Sequence, residues 1–147
     1  MGTRSLTIMQ DSWDHKEIAV MYRQFDGYPS GLGVELAEFL SGFRIVNGIT
    51  DKIGKVANGG SCLAAQIVAH FKDEVGNVYL EPAGTRNCGE EYVYIVTPEV
   101  DKGVTLTVQE VRIKDTSLPI DLWESEYIEL WRGNPEDYDP AKIAEQD

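Results

Sequence analysis

Alternating apolar and polar positions indicate two strands at the start of the chain. The first segment, residues 3–10, alternates around Leu6 and Ile8. The second, residues 17–25, places Ile18, Val20 and Tyr22 on one face and Ala19, Met21 and Arg23 on the other. The stretch between them, residues 11–16, is polar and typical of a hairpin loop. The first 25 residues therefore predict a β-hairpin.

Two later segments have apolar residues at helical spacing. The first follows the turn-rich residues 26–31, ends near Gly42, and carries an apolar stripe of Leu32, Leu36, Phe39, Leu40 and Phe43. The second is expected to begin with Ser61 as its N-cap and to end at Val75, before a Gly-Asn pair. Residues 44–60 between them predict no more than a loop with one short turn.

The remainder of the chain is rich in β-forming residues. Four further strands are predicted, at residues 78–80, 92–97, 104–113 and 127–131. The order is two strands, two helices and then several strands, without the strand–helix alternation of a doubly wound parallel sheet. The sequence therefore predicts an α+β fold in which two main helices pack on one face of an antiparallel β-sheet. We expect one domain over residues 1–132 and a polar acidic tail over 133–147.

Charge is distributed unevenly along the chain. Of a net charge of −12, residues 99–147 carry −8, from 13 acidic and 5 basic side chains. General nucleic-acid binding is disfavoured, because such proteins neutralise phosphates with clustered Lys and Arg. An acidic surface most often serves solubility, but it can also occupy the basic groove of a partner.

Residues with catalytic or metal-binding chemistry are sparse. The two cysteines, Cys62 and Cys88, have no CxxC spacing and predict free thiols, and the two histidines, His15 and His70, form no metal-binding or nucleophile–base motif. We therefore expect no metal and no cofactor, and enzymatic activity, such as that of a small nucleotide hydrolase, is the least favoured interpretation. The N-terminus lacks the apolar run of a secretory signal, so the expected location is the cytoplasm.

The most suggestive chemistry lies at the two predicted helix starts. Glycine and serine there leave unpaired backbone N–H groups open to an anion. With arginines to neutralise phosphates and tyrosines to stack on a base, these segments predict a site for a small nucleotide-type ligand. The candidate ligand-binding residues are Arg4, Tyr22, Arg23, Asp26, Tyr28, Ser30, Gly31, Gly60 and Ser61.

A purely structural interpretation of the same residues stays open. Gly and Ser before helices are ordinary turn and capping residues, and neither segment is a GxGxxG or GxxxxGK[ST] motif. In that case Arg23 would form a salt bridge with Asp26, and its removal would have little effect on stability.

The first 40 residues carry a specific string. The segments MGTRSLT, YRQFDGYPSG and ELAEFL resemble a group of small, functionally uncharacterised proteins of phages and prophages. No catalytic residue follows from this resemblance. It implies a setting, since small acidic phage proteins without enzyme motifs are often accessory factors that weaken host defence.

Two mechanisms fit that setting. The first is a non-catalytic protein that binds and sequesters a nucleotide-derived immune second messenger, of the cyclic-nucleotide or ADP-ribose type, in the host cytoplasm. The alternative is an acidic protein inhibitor that docks directly on a host defence effector, as anti-CRISPR proteins do. In either case we expect no membrane association, and exposed sheet edges make a homo-oligomer a further expectation.

Overall fold

The computed structural model describes residues 2–48 and 54–143. Its centre is a six-stranded sheet, and the α+β class expected from the sequence is confirmed. The six strands are β1 (Ser5–Gln10), β2 (Glu17–Arg23), β5 (Val78–Pro82), β6 (Tyr92–Pro98), β7 (Val104–Ile113) and β8 (Ser125–Gly133). Their spatial order is β5-β2-β1-β6-β7-β8, so β5 and β8 form the two edges.

The sheet is mixed rather than wholly antiparallel. Four of its neighbouring pairs are antiparallel, but β1 and β6 run parallel, with Ser5 opposite Tyr92 and Met9 opposite Val96. The expectation of an antiparallel sheet is wrong at this pair. The parallel contact arises because the long segment between β2 and β6 returns the chain to the free side of β1 rather than continuing the hairpin.

Two helices cover one face of the sheet, as expected. α1 (Val34–Leu40) continues a π-helical turn at Pro29–Gly33, and α2 spans Gly59–Phe71. Their apolar sides pack on the sheet in one large core. α2 begins two residues before Ser61, which is exposed and lies within the helix, so the expected Ser61 cap is wrong.

The loop expected at residues 44–60 contains two short strands where it is described. These are β3 (Arg44–Val46) and β4 (Val56–Asn58), which pair in parallel as a separate two-stranded sheet. The middle of this segment, residues 49–53, lies outside the described residues.

The face opposite the helices has a smaller core of Leu6, Ile8, Val20 and Val93. Residues 83–91 cross this face on the way from β5 to β6. Arg86 binds Glu17 at the start of β2, with 2.8 Å between Nη2 and Oε1, and the Glu90 carboxylate meets the Tyr127 hydroxyl on β8 at 3.4 Å. This crossing segment forms one wall of the pocket described below.

The segment expected to be a polar tail packs on the domain as far as Ile143. Pro135 and Ile143 are buried, and the Tyr138 hydroxyl donates to the Pro29 carbonyl at 2.7 Å. The Tyr138 ring also meets Trp131 edge-on at a centroid distance of 5.0 Å. Residues 133–143 are therefore a strap over the start of the first helix, and residues 144–147 lie outside the described range.

Candidate functional site

Arg23, the central residue of the sequence-predicted ligand site, is buried and makes its polar contacts within the protein. Its side chain is buried; Nε donates to the Phe25 carbonyl at 2.8 Å and Nη1 lies 2.5 Å from Glu35 Oε2. Arg23 therefore forms its ion pair with Glu35 on α1. The structural interpretation had expected a pair with Asp26, and that expectation is wrong.

Tyr22 and Arg23 project to opposite faces of the sheet. Tyr22 packs against the small core and meets Tyr79 edge-on at 5.9 Å, whereas Arg23 lies on the helix side. Adjacent residues of a strand alternate in this way. A single ligand cannot use both side chains as a stacking platform and a phosphate clamp.

The two helix starts lie at opposite ends of β1. Gly60 contacts the end of β1, where a Cβ on it would be 2.6 Å from the Gln10 carbonyl and 2.8 Å from the Asp11 Cα. Arg23 pairs with Ser5 at the other end of the strand, beside the C-terminal end of α2. Gly60 therefore serves close packing of a helix on a hairpin loop, and neither Gly60 nor Ser61 joins Arg23 in one site.

The turn before the first helix is organised by its own backbone. Asp26 has a φ of 58°, its carbonyl accepts from Leu32 N at 2.9 Å, and its carboxylate accepts from the Tyr28 hydroxyl at 3.3 Å. A Cβ on Gly31 would be 2.5 Å from the Asp26 carbonyl oxygen, which accounts for glycine there. The exposed Ser30 lies in the π-helical turn.

Arg4 is the remaining candidate, and it lies elsewhere. It immediately precedes β1, is exposed, and its guanidinium lies against Gly89, where an added Cβ would be 2.8 Å from Nη1. Its backbone carbonyl accepts from Glu91 N at 2.9 Å. The structure thus places Arg4 beside a different feature, a pocket on the face opposite the helices.

This acid-lined pocket has a volume of about 550 Å³ and lies between the crossing segment 83–91 and the β7–β8 hairpin. Its walls are partly apolar, with Val111, Ile113, Ile120 and Trp123. Its ionisable lining is acidic, with Glu90, Glu91 and Asp121. Within the described ranges 2–48 and 54–143, no ion pair shorter than 4.0 Å engages Glu91 or Asp121. The three carboxylates outnumber the Arg4 guanidinium at the rim, so the pocket is suited to a group that carries positive charge.

Glu90 is a buried carboxylate in the lining of the pocket and is fixed in position by backbone hydrogen bonds. Its carboxylate is buried and accepts from the backbone N–H groups of Cys88 at 2.7 Å and Asn87 at 3.2 Å. Burial and the nearby Glu90 carboxylate together raise the pKa of the Tyr127 hydroxyl, and the same two causes raise the pKa of the Cys88 thiol. A carboxylate held by two N–H groups is fixed in position, so the negative end of the pocket is preorganised.

The hairpin tip beside the pocket is unusually apolar for a solvent-exposed loop. It extends from β7 to β8 and exposes four large side chains, Leu118, Ile120, Leu122 and Trp123. Ile120 is 77% exposed, and Trp123 Nε1 donates to the Leu118 carbonyl at 2.8 Å, which folds the loop on itself. Neighbouring exposed apolar side chains of this kind are a feature of interaction surfaces.

A second pocket, of about 590 Å³, lies between α2 and the strands β1, β2 and β5, and its lining is almost wholly apolar. Lys72 at its border already donates to the carbonyls of Gly76 at 3.0 Å and Val78 at 2.8 Å. The ammonium group of Lys72 is therefore already hydrogen-bonded and is not placed to bind a phosphate.

Sequence reasoning missed the residues of the acid-lined pocket. The charge asymmetry indicated the final third of the chain, but Glu90 and Glu91 come from an earlier segment that only the fold brings next to it. The local signal was the apolar series at residues 118–123, which alternates with the strand period but contains Pro119 and Asp121 and is too short to cross the sheet.

No protein-family model matches the chain, and no curated protein or solved structure shows significant similarity to it. Within residues 2–48 and 54–143, neither helix is long and apolar enough to cross a membrane. The same part of the chain contains no group of three or more His, Cys, Asp or Glu side chains placed to hold a metal ion.

Proposed function

We propose that the protein is a non-catalytic counter-defence factor of phages that docks an acidic surface on a basic surface of a host defence effector in the cytoplasm. The observation that supports it most is the convergence of Glu90, Glu91 and Asp121 on one pocket. The phage setting rests on the resemblance of the first 40 residues to phage and prophage proteins.

The acidic surface, as we define it, extends from this pocket along the exposed side of edge strand β8. Glu129 is exposed on the same face of β8 as Ser125 of the pocket, and Glu124 precedes the strand. Carboxylates on an exposed edge also discourage pairing with further strands, so part of their role is structural. Facing a surface rich in Lys and Arg, they would accelerate association and fix its orientation.

A charge-reversal experiment tests this proposal. The protein is expressed in bacteria that carry single defence systems, and phages sensitive to each system are plated on them. Rescue of plating by the wild-type protein identifies the target system. The test variant replaces with lysine three exposed acids of the acidic surface, Glu91, Asp121 and Glu124. The control variant makes the same change in charge elsewhere, at Glu38, Asp73 and Glu74.

We expect the test variant to lose rescue and the control to keep it. The purified target should also associate with wild-type protein at a rate that falls steeply as salt is raised. Equal rescue by both variants, with both folded by circular dichroism, would show that the acids only provide solubility.

Sequestration of a nucleotide second messenger is the second candidate, supported by the position of Arg4. Arg4 lies beside Gly89 at the rim of a pocket whose volume suits a small ligand. The indole of Trp123 could stack on a base, and the carboxylates could accept from its amino groups. Calorimetry with cyclic dinucleotides and ADP-ribose isomers tests this, with Arg4→Ala as the variant that should lose binding. Absence of saturable binding to all of them would exclude it.

A further inference from the structure

The apolar hairpin tip and the acid-lined pocket are adjacent parts of one surface. Ile120, Asp121 and Trp123 belong to both, because they lie in the β7–β8 loop and also line the pocket. Exposed apolar side chains and carboxylates therefore occur within a few residues of each other. This combination constrains what can bind more than the acidic charge alone does.

Charge complementarity selects the occupant. A purely apolar partner would bury Glu91 and Asp121 without compensation, which costs free energy. An anionic partner such as a nucleic-acid backbone would be repelled by these carboxylates. The side chains that join a long apolar stem to a cationic head are those of Arg and Lys, and their stems pack on apolar surface while the head reaches a carboxylate.

We infer that the hairpin tip and the pocket form one docking surface for a basic amphipathic segment of a protein partner, with an Arg or Lys side chain inserted into the pocket. The stem lies along Val111, Ile113 and Trp123, and the cationic head meets Asp121 and Glu91, above the fixed Glu90. Apolar neighbours of the inserted residue on the partner cover Ile120. This inference rests on the proposed function and specifies the partner's chemistry.

The test uses a labelled synthetic peptide as the probe, a 14-residue helix former with Leu along one face and Arg along the adjoining face. Binding is followed by fluorescence anisotropy on the full-length protein. Three matched peptides replace every Arg with Lys, every Arg with Glu, or every Leu with Ser. The protein variants are Ile120→Ser for the apolar part, Asp121→Asn for the acidic part, and Leu80→Ser as control, because Leu80 is 65% exposed but lies on the other edge of the sheet.

We expect saturable binding of the Arg and Lys peptides and none of the Glu peptide. Ile120→Ser and Asp121→Asn should each weaken binding about tenfold, and Leu80→Ser should leave it unchanged. Loss of the peptide's Leu residues should weaken binding as much as Ile120→Ser does.

The contrary outcomes are separable. If Asp121→Asn weakens binding but neither Ile120→Ser nor the Ser peptide does, attraction is only ionic; the inserted side chain is then refuted, while docking by charge survives. If the Arg, Lys and Glu peptides all fail to bind, the acidic surface does not recruit basic segments and both proposals fall. If Ile120→Ser instead converts a dimer to a monomer in sedimentation, the surface is an interface between two copies of this chain, and the inferred partner is wrong.

Discussion

Replacement of Arg23 by alanine distinguishes a structural arginine from a ligand-binding one. The guanidinium is buried and makes two polar contacts, one to the Phe25 carbonyl and one to the Glu35 carboxylate. Because the Glu35 side chain is half exposed, we limit the ion pair to about 1 kcal/mol. The charged hydrogen bond to a backbone carbonyl and the packed stem add about 1–2 kcal/mol.

The expected loss of unfolding free energy is therefore about 2–3 kcal/mol for Arg23→Ala. For a domain of this size, that corresponds to a fall in melting temperature of about 5–10 °C. Urea titration followed by tryptophan fluorescence gives the free energy, and a thermal scan by circular dichroism gives the melting temperature. The control Glu35→Ala should cost about 1 kcal/mol, since water can replace the carboxylate.

The double variant completes a thermodynamic cycle, in which Arg23 and Glu35 should show a coupling of about 1 kcal/mol. A melting temperature of Arg23→Ala within about 2 °C of wild type would refute this reasoning. The guanidinium would then contribute nothing to the fold, and the sequence-based prediction that it holds a phosphate would regain its force.

Three further outcomes follow from particular contacts. Gly60→Ala should lower the free energy of unfolding by about 1–3 kcal/mol in urea titration, because the added Cβ meets backbone atoms of the hairpin loop. The control Ser61→Ala, at an exposed position, should change it by less than about 0.5 kcal/mol. Equal effects of the two variants would disprove the packing argument. Hydrogen bonds from Arg86 and from the Gly84 N–H lower the pKa of the Glu17 carboxyl in the folded protein. The Glu17 carboxylate therefore stabilises the fold fully above the pKa that it has in the unfolded chain, and this stabilisation is lost as the pH falls through the lower pKa of the folded protein. Glu17→Gln should therefore lower the unfolding free energy at pH 7 and flatten its decline below about pH 4.5, and an unchanged acid profile would contradict that. Tyr138→Phe should cost about 1 kcal/mol through loss of the bond to Pro29, measured by the same titration, and no loss would mean that the strap does not support the first helix.

The sequence predicted local structure well because local structure follows side-chain period. The strands at residues 104–113 and 92–97 agree closely with β7 and β6, and both helices occur within a few residues of their expected positions. The parallel pairing of β1 with β6 could not be predicted, since the period of a strand does not specify its neighbour. The start of α2 at Gly59 also depends on a tertiary contact, because the first turn of the helix packs on the hairpin loop through Gly60 and has no serine cap.

The candidate site was predicted less well, and the reason is geometric. Residues near each other in sequence were assumed to be near each other in space, but a one-residue step along β2 separates Tyr22 from Arg23 by the thickness of the sheet. Glu90 and Asp121 are distant in sequence and meet only through the crossing segment and the β7–β8 hairpin. Of the sequence-predicted ligand residues, only Arg4 lies beside the acid-lined pocket.

The position of β1 has a consequence for how the chain acquires its structure. β1 is an interior strand, and its partner β6 begins at Tyr92, so the hairpin of β1 and β2 cannot complete its hydrogen bonding until β6 has been synthesised. Such long-range pairing slows folding and leaves an unpaired strand exposed meanwhile. During translation, the nascent hairpin would be a transient binding site for chaperones, and circular permutants that begin near β6 should fold faster than the natural order.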